Sequence, residues 1–135
     1  MLTQKAKYAL YALQYIASKS NEIPLKSTEI SEAKSIPKKF LESILAELVR
    51  AEILVSKMGQ QGGYVLNRPP NDINIAEVIR LFDGAIALLP CATYTYFKPC
   101  EECLDVDLCK IRHTFKELRD LSVEFLKSKS ILDLV

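Results

Sequence analysis

Cysteine is missing from the first 90 residues of this 135-residue chain, and histidine occurs once, at position 113. Glycine is almost as scarce: Gly59, Gly62 and Gly63 fall together and Gly84 stands alone. Glycines so placed make no phosphate-binding loop of the usual spacing. With one histidine, no nucleophile–base pair is legible either, so the pattern points away from an enzyme. No apolar run reaches membrane-spanning length, and no signal-peptide core follows the charged start. The expectation is a cytoplasmic chain with no membrane partner. In that compartment clustered thiols serve as metal ligands or redox groups more often than as structural disulfides. The first 21 residues also contain no Asp, Glu, His or Cys.

What is present is an ordinary apolar content, 49% of residues, enough for one domain with a real core. The net charge of +1 hides a split. Residues 1–70 carry ten Lys or Arg against six Glu, which is +4, so residues 71–135 carry −3. A basic first half suits a nucleic-acid-binding module, although many solvated helical surfaces look alike.

Hydrophobic periodicity predicts a helix over residues 4–18, with Ala6, Ala9, Leu10, Leu13, Ile16 and Ala17 along one stripe and Thr3 as its cap. Ser27 is placed to cap a short second helix bearing Ile30 and Ala33. Lys34-Ser35 breaks it. Pro37 then opens a third helix, reaching about Ala51, with Phe40, Leu41, Ile44, Leu45 and Leu48 inward. Two helices joined by so short a turn form a helix-turn-helix. Ile53–Val55 and Tyr64–Leu66 read as strands around a polar, glycine-bearing turn, which makes the hairpin a wing. Asn74 with Glu77 resembles a capping box for a helix bearing Ile75, Val78, Ile79 and Phe82, ending at Gly84.

From Lys110 to about Lys127, Ile111, Leu118 and Phe125 recur every seven residues on a long amphipathic helix. Too little protein remains to bury that stripe, so a two-fold partner helix is expected in preference to a fold-back. Ser130 is placed to cap a last short element over Ile131–Val135. The expected architecture is mainly α with a small β-hairpin. Residues 1–84 form a winged helix-turn-helix DNA-binding domain, 85–109 a cysteine-bearing sensor loop, and 110–135 a dimerisation helix with its tail.

In a helix-turn-helix the N-terminal residues of the second helix meet base edges in the major groove. Here those are Lys38, Lys39, Glu42 and Ser43. Glu42 can accept from cytosine N4 and Ser43 can pair with several bases, while the lysines suit phosphates. Lys5 and Lys7, Ser27 and Thr28, and Lys57, Gln60 and Gln61 of the wing complete the expected contacts with double-stranded operator DNA. Any one of these lysines is better explained as a solvated side chain; the ordered set is not.

The segments Ile36-Pro37-Lys38-Lys39-Phe40-Leu41-Glu42, Gly62-Gly63-Tyr64-Val65-Leu66, Arg68-Pro69-Pro70 and Ile75-Ala76-Glu77-Val78-Ile79 resemble the Rrf-two family of bacterial winged-helix regulators, whose members include IscR, NsrR and CymR. The resemblance implies a homodimer that binds operator DNA, usually as a repressor. In cluster-binding members three cysteines of this loop hold a [2Fe–2S] or [4Fe–4S] centre. Cys103 and Cys109 keep the family's spacing for the last two ligands, and Phe115 stands where those members carry a tryptophan. In that register the first ligand of IscR-like members falls at Phe97 and their histidine at Arg112, neither of which binds iron. Cys91 is then the natural first ligand and Cys100 a fourth, with His113 as the other candidate. The acid-free first 21 residues close the route by which some members take a ligand from the partner's first helix. Met58 stands where IscR-like members have a DNA-contacting arginine.

Four readings of the cysteines follow. An iron–sulfur site leads, because thiolates suit such clusters. A zinc site built on Cys100, Cys103, Cys109 and Cys91 is second. A thiol–disulfide switch is third, and inert thiols fourth, since some relatives regulate without a cluster. The expected function is a homodimeric repressor whose operator affinity follows the iron–sulfur or redox state of the Cys91–Cys109 loop. The alternatives are a cluster-free regulator of the cysteine-metabolism type, controlled by a partner protein or thiol oxidation, and a zinc-stabilised DNA-binding protein. An electron carrier or a DNA-free adaptor would not need the basic helix-turn-helix.

Overall fold

A computed structural model describes all of residues 1–135. Helix α1 spans Gln4–Ala17 and starts as expected: the Thr3 hydroxyl accepts from the Ala6 N–H at 3.2 Å. Its buried stripe is Ala6, Ala9, Ala12, Leu13 and Ile16. The alanines let neighbouring helices approach closely, while Leu13 and Ile16 supply apolar volume.

Helix α2 (Ser27–Lys34) and α3 (Lys38–Arg50) are separated by Ser35, Ile36 and Pro37. Ser27 is the first helical residue rather than the cap; Lys26 occupies the cap position, with no side-chain bond. Pro37 likewise sits at the cap position of α3, one residue before the first turn. Ser35 turns the corner in the left-handed region, at φ 53° and ψ 44°. The Ile36 N–H donates to the Ser31 carbonyl at 3.0 Å, and the Ser31 hydroxyl donates to the Ile36 carbonyl at 2.6 Å, which fixes the turn. Ile30, Ile36, Leu41, Ile44, Leu45 and Leu48 are buried, whereas Ala33 is exposed.

Strands β1 (Leu54–Lys57) and β2 (Gly63–Leu66) pair antiparallel, with Leu54 opposite Leu66 and Lys57 opposite Gly63. The hairpin is longer at its tip than its apolar residues suggested, because Ser56 and Lys57 continue the ladder. Leu25 adds a bridge on the far side of β2, exchanging both backbone hydrogen bonds with Tyr64 at 3.0 and 2.8 Å. A Cβ on Gly63 would lie 2.5 Å from the Leu25 carbonyl oxygen, so only glycine allows that approach.

Helix α4 (Ile75–Asp83) is capped by Asn74, whose side chain accepts from the Glu77 N–H at 2.9 Å. The reciprocal half of the expected capping box is not made. The Glu77 carboxylate instead pairs with Arg68 at 2.5 Å. Thr3 reaches across to Asp83 through its backbone N–H and its hydroxyl, tying the start of α1 to the end of α4.

Helix α5 (Lys110–Ser128) follows the cysteine loop. The short 3₁₀ turn Ile131–Leu134 then returns to the N-terminal core. Ile131 is fully buried, its N–H donates to the Ile73 carbonyl at 2.9 Å, and Gln14 donates to the Leu134 carbonyl at 2.6 Å. Ser130 caps this turn as expected, with Asp133 reciprocating. The C-terminal end of α5 is therefore anchored, while apolar residues along its length face outward. Ile111, Leu118, Leu121 and Phe125 are 64, 42, 67 and 61% exposed. No helix is long and apolar enough to cross a membrane.

Candidate nucleic-acid interface and cysteine loop

Most of the residues expected at the DNA are solvent-exposed. Lys38, Lys39, Glu42 and Ser43 are all exposed at the start of α3, because Leu41, Ile44 and Leu45 turn the opposite face into the core. The Ser43 hydroxyl donates to the Phe40 carbonyl at 2.8 Å, which leaves its lone pairs outward. The exposed face continues through Ala46 to Arg50, two positions that the sequence pattern did not single out. Lys57, Gln60 and Gln61 are exposed on the wing, as is Met58 at its tip. Thr28 is exposed and Ser27 half-buried at the start of α2.

The two lysines of α1 differ. Lys7 is exposed, with its ammonium 5.6 Å from the Tyr11 ring centre. Lys5 pairs with Glu47 and lies 5.7 Å from the Phe82 ring centre. Its charge is already used inside the domain, where it joins α1 to the C-terminal half of α3.

The cysteine loop begins at the 3₁₀ turn Pro90–Ala92, where Cys91 is buried. Cys100 is exposed, and Cys103 and Cys109 are half-buried. All four are free thiols. Cys109 is the cap of α5, its sulfur accepting from the Arg112 N–H at 3.4 Å. The Cys100 thiol is pushed up from its ordinary range by partial desolvation first, and then by the neighbouring Cys91 thiol, Glu102 and the Cys109 thiol. Cys91 and Cys109 thus both act on Cys100. Even so, no three His, Cys, Asp or Glu side chains converge as they would around a metal ion. The donor types fit a thiophilic centre, but their arrangement does not form one. His113 is exposed on the first turn of α5.

Arginines hold this loop, and reading the sequence for ligands missed them. Arg112 donates from Nε to the Cys91 carbonyl at 2.9 Å and from its terminal nitrogen to the Val106 carbonyl at 3.5 Å. Its guanidinium lies 5.5 Å from the Phe97 ring centre. Phe97 and Arg112, the two positions that the resemblance sets against ligands of IscR-like members, thus form a cation–π pair. One heptad further on, Arg119 is 5% exposed. It donates to the Ala92 carbonyl, pairs with Asp120 at 2.7 Å and stacks 3.6 Å from the Tyr94 ring centre. The Tyr94 hydroxyl donates to the same carboxylate at 2.7 Å. These bonds hold the Asp120 carboxyl below its ordinary range, the Tyr94 bond contributing most, and raise the Tyr94 phenol. The seven-residue spacing of Arg112 and Arg119 was the available signal, since it puts both on one face of α5.

The family described as "Rrf2: Iron-dependent Transcriptional regulator" matches residues 2–135. An rrf2-like HTH-type transcriptional regulator of Rhodobacter capsulatus is 42% identical over 121 residues, covering 87% of this chain and 81% of that protein. IscR of Photorhabdus laumondii is 31% identical over 134 residues, covering 99% of this chain and 78% of its own. Among solved structures, CymR, the global cysteine regulator of B. subtilis, superposes with a TM-score of 0.80 at 25% identity, over 99% of this chain and 95% of that one. IscR of T. potens superposes with a TM-score of 0.78, also at 25% identity, over 99% and 85%. These relatives are regulators rather than enzymes, and their winged-helix fold is the one built above from helix-turn-helix, hairpin and long C-terminal helix. With the match running over nearly its whole length, the chain belongs to the Rrf2 family of transcriptional regulators, and DNA binding comes with that membership.

Proposed function

We propose that the protein is a homodimeric repressor that reads operator DNA with α3 and the wing, and whose affinity is set by the chemical state of the Cys91–Cys109 loop. The observation that carries this reading is the bond from Arg112 to the Cys91 carbonyl. It couples the cysteine loop directly to the first turn of α5, the helix whose exposed apolar stripe is suited to a second copy. A change at the thiols then alters how α5 is held against the reading domain. Two recognition helices joined through α5 translate that change into a difference in spacing and therefore in operator affinity.

Within this reading Lys38, Lys39, Lys7 and Lys57 neutralise phosphates, Glu42 and Ser43 face bases, and Gln60 and Gln61 reach the backbone or minor groove. Thr28, with Ser27 beside it, meets the backbone from the start of α2. Lys5 acts indirectly, by bracing α3 through Glu47.

Iron–sulfur ligation by Cys91, Cys103 and Cys109, with Cys100 or His113 as a fourth donor, is supported by the number of thiols and by the IscR relatives. A bound cluster would supply sensitivity to oxidants, nitric oxide or iron shortage. Assembling those donors requires the loop to leave its present arrangement. A second reading, thiol control without a cluster, is favoured by the Arg112–Phe97 pair in the ligand positions and by the likeness to CymR. Anaerobic purification followed by iron and sulfide analysis separates the two. Stoichiometric iron and sulfide with visible absorption supports the first. A colourless protein after attempted reconstitution removes it and leaves the second.

A further inference from the structure

Arg80, in the last turn of α4, is an exposed cation that makes no ion pair: Glu77 and Asp83 lie one turn away on the same helix, but Glu77 is held by Arg68 and Asp83 by Thr3. The ion pairs of the chain are Lys5–Glu47, Arg68–Glu77, Arg112–Asp107 and Arg119–Asp120, and none includes it. It lines a cavity of about 280 Å³ whose other walls come from the Gly84–Ile86 linker, the Thr93–Tyr96 segment and α5. Thr95 and Tyr96 bring polar groups to the same cavity, and Ile86 and Val123 supply an apolar floor. The wall formed by Arg119 and Tyr94 is already fixed: the guanidinium is buried under the ring, and Asp120 neutralises it from outside the cavity lining. Of the two charged residues in this lining, Arg80 is therefore the one without an ion-pair partner.

We propose that this cavity binds a small organic carboxylate with a planar or apolar body, held by Arg80 and stacked beside Tyr94 and Tyr96. A guanidinium presents a planar fork that matches a carboxylate, and aromatic faces favour a flat body. A space of about 280 Å³ is near the lower end of small-molecule pockets, so the ligand is metabolite-sized. The inference goes beyond control by the thiols. It gives the regulator a second input at the junction of α4, the base of the cysteine loop and α5. Such a ligand would touch the reading domain and the long helix together, which is what an effector must do to shift their relation.

The test uses the full reduced protein without DNA, so its outcome is independent of operator binding or cluster content. Benzoate and 2-oxobutyrate are titrated while amide shifts are followed by NMR, with benzamide as the uncharged control. The expected result is saturable shifts at residues 84–96 and along the facing turn of α5 for at least one of the acids. Benzamide binds at least ~10-fold more weakly, and Arg80→Gln weakens the acid by a similar factor, as loss of a charge-assisted pair implies. The exposed position of Arg80 makes that variant safe for folding. Absence of saturable shifts with both acids overturns the proposal. So does equal binding of benzamide, or an unchanged affinity in Arg80→Gln, which would leave Arg80 as a solvated cation complementing the end of α4.

Discussion

Lys39 and Glu42 sit one turn apart on α3 with nothing of the protein covering them, yet they should fail differently when removed. Lys39→Ala is expected to weaken binding to every sequence alike and to lower the salt slope by about one. Glu42→Ala should leave the slope alone and relax the preference at one base pair, by about 1–3 kcal/mol. Fluorescence anisotropy over a salt series and a set of single-base operator variants distinguishes them. Asp120 gives a prediction of another kind. Its folded-state carboxyl is depressed, first by the Tyr94 hydroxyl and then by Arg119. The clamp it forms is therefore complete above the unfolded value of about 3.9 and is lost as pH falls through the folded one. Thermal unfolding followed from about pH 5 to about pH 2 should show an acid-side loss of stability that is smaller in Asp120→Asn. An identical profile in the variant would place the acid sensitivity elsewhere. The phenol behaves oppositely. Tyr94 is raised by the same bond, so its contribution is present below about 10 and lost as pH rises through its folded value.

At the scale of elements, how much could be read from the sequence followed from how local each cause is. Helices α1, α3 and α4 were legible because their apolar stripes repeat at helical period and because Thr3 and Asn74 cap through bonds only three residues long. The Gly62-Gly63 pair marked the wing for an equally local reason, though the backbone approach to Leu25 that demands Gly63 spans the domain. Apart from one-residue shifts at the starts of α2 and α3, the misplacements arose where a distant partner competed. Glu77 serves Arg68 instead of closing the capping box. The clasp of Arg112 and Arg119 on the loop joins residues 21 and 27 positions apart; the heptad spacing of the two arginines marks a shared face of α5 but not the carbonyls it meets. The cysteines were visible as a cluster, but their geometry was not, since it depends on those two arginines. For α5 the sequence-based expectation concerned what lies outside the chain, and the exposed stripe of Ile111, Leu118, Leu121 and Phe125 keeps it open. A double substitution, Leu121→Glu with Phe125→Glu, should convert a dimer to a monomer in sedimentation velocity while leaving the helical signal of the monomer unchanged. A dimer that survives both charges would remove α5 from the interface.

At the scale of the molecule, the protein is a winged-helix reading domain into which the Ile131–Leu134 turn after α5 is sewn. Ile131 packs in the same core as Leu13 and Leu48, and Gln14 holds Leu134. Because α5 leaves from the cysteine loop and is followed by a turn packed in that core, it is fastened at both ends, and a disturbance at the loop is passed along it. This arrangement supports coupling between thiols and operator, and it makes the coupling measurable as a single quantity. The most direct measurement is the affinity of the full protein for DNA from its own upstream region, at one fixed salt concentration. It is made on the thiol-reduced metal-free form, the anaerobically reconstituted form and the oxidised form. The account predicts salt-sensitive binding in at least one form and a change between forms of about 5–150-fold, the range typical of a coupling free energy. Equal affinity in all three forms would contradict it, leaving a DNA-binding regulator whose cysteines take no part in its control.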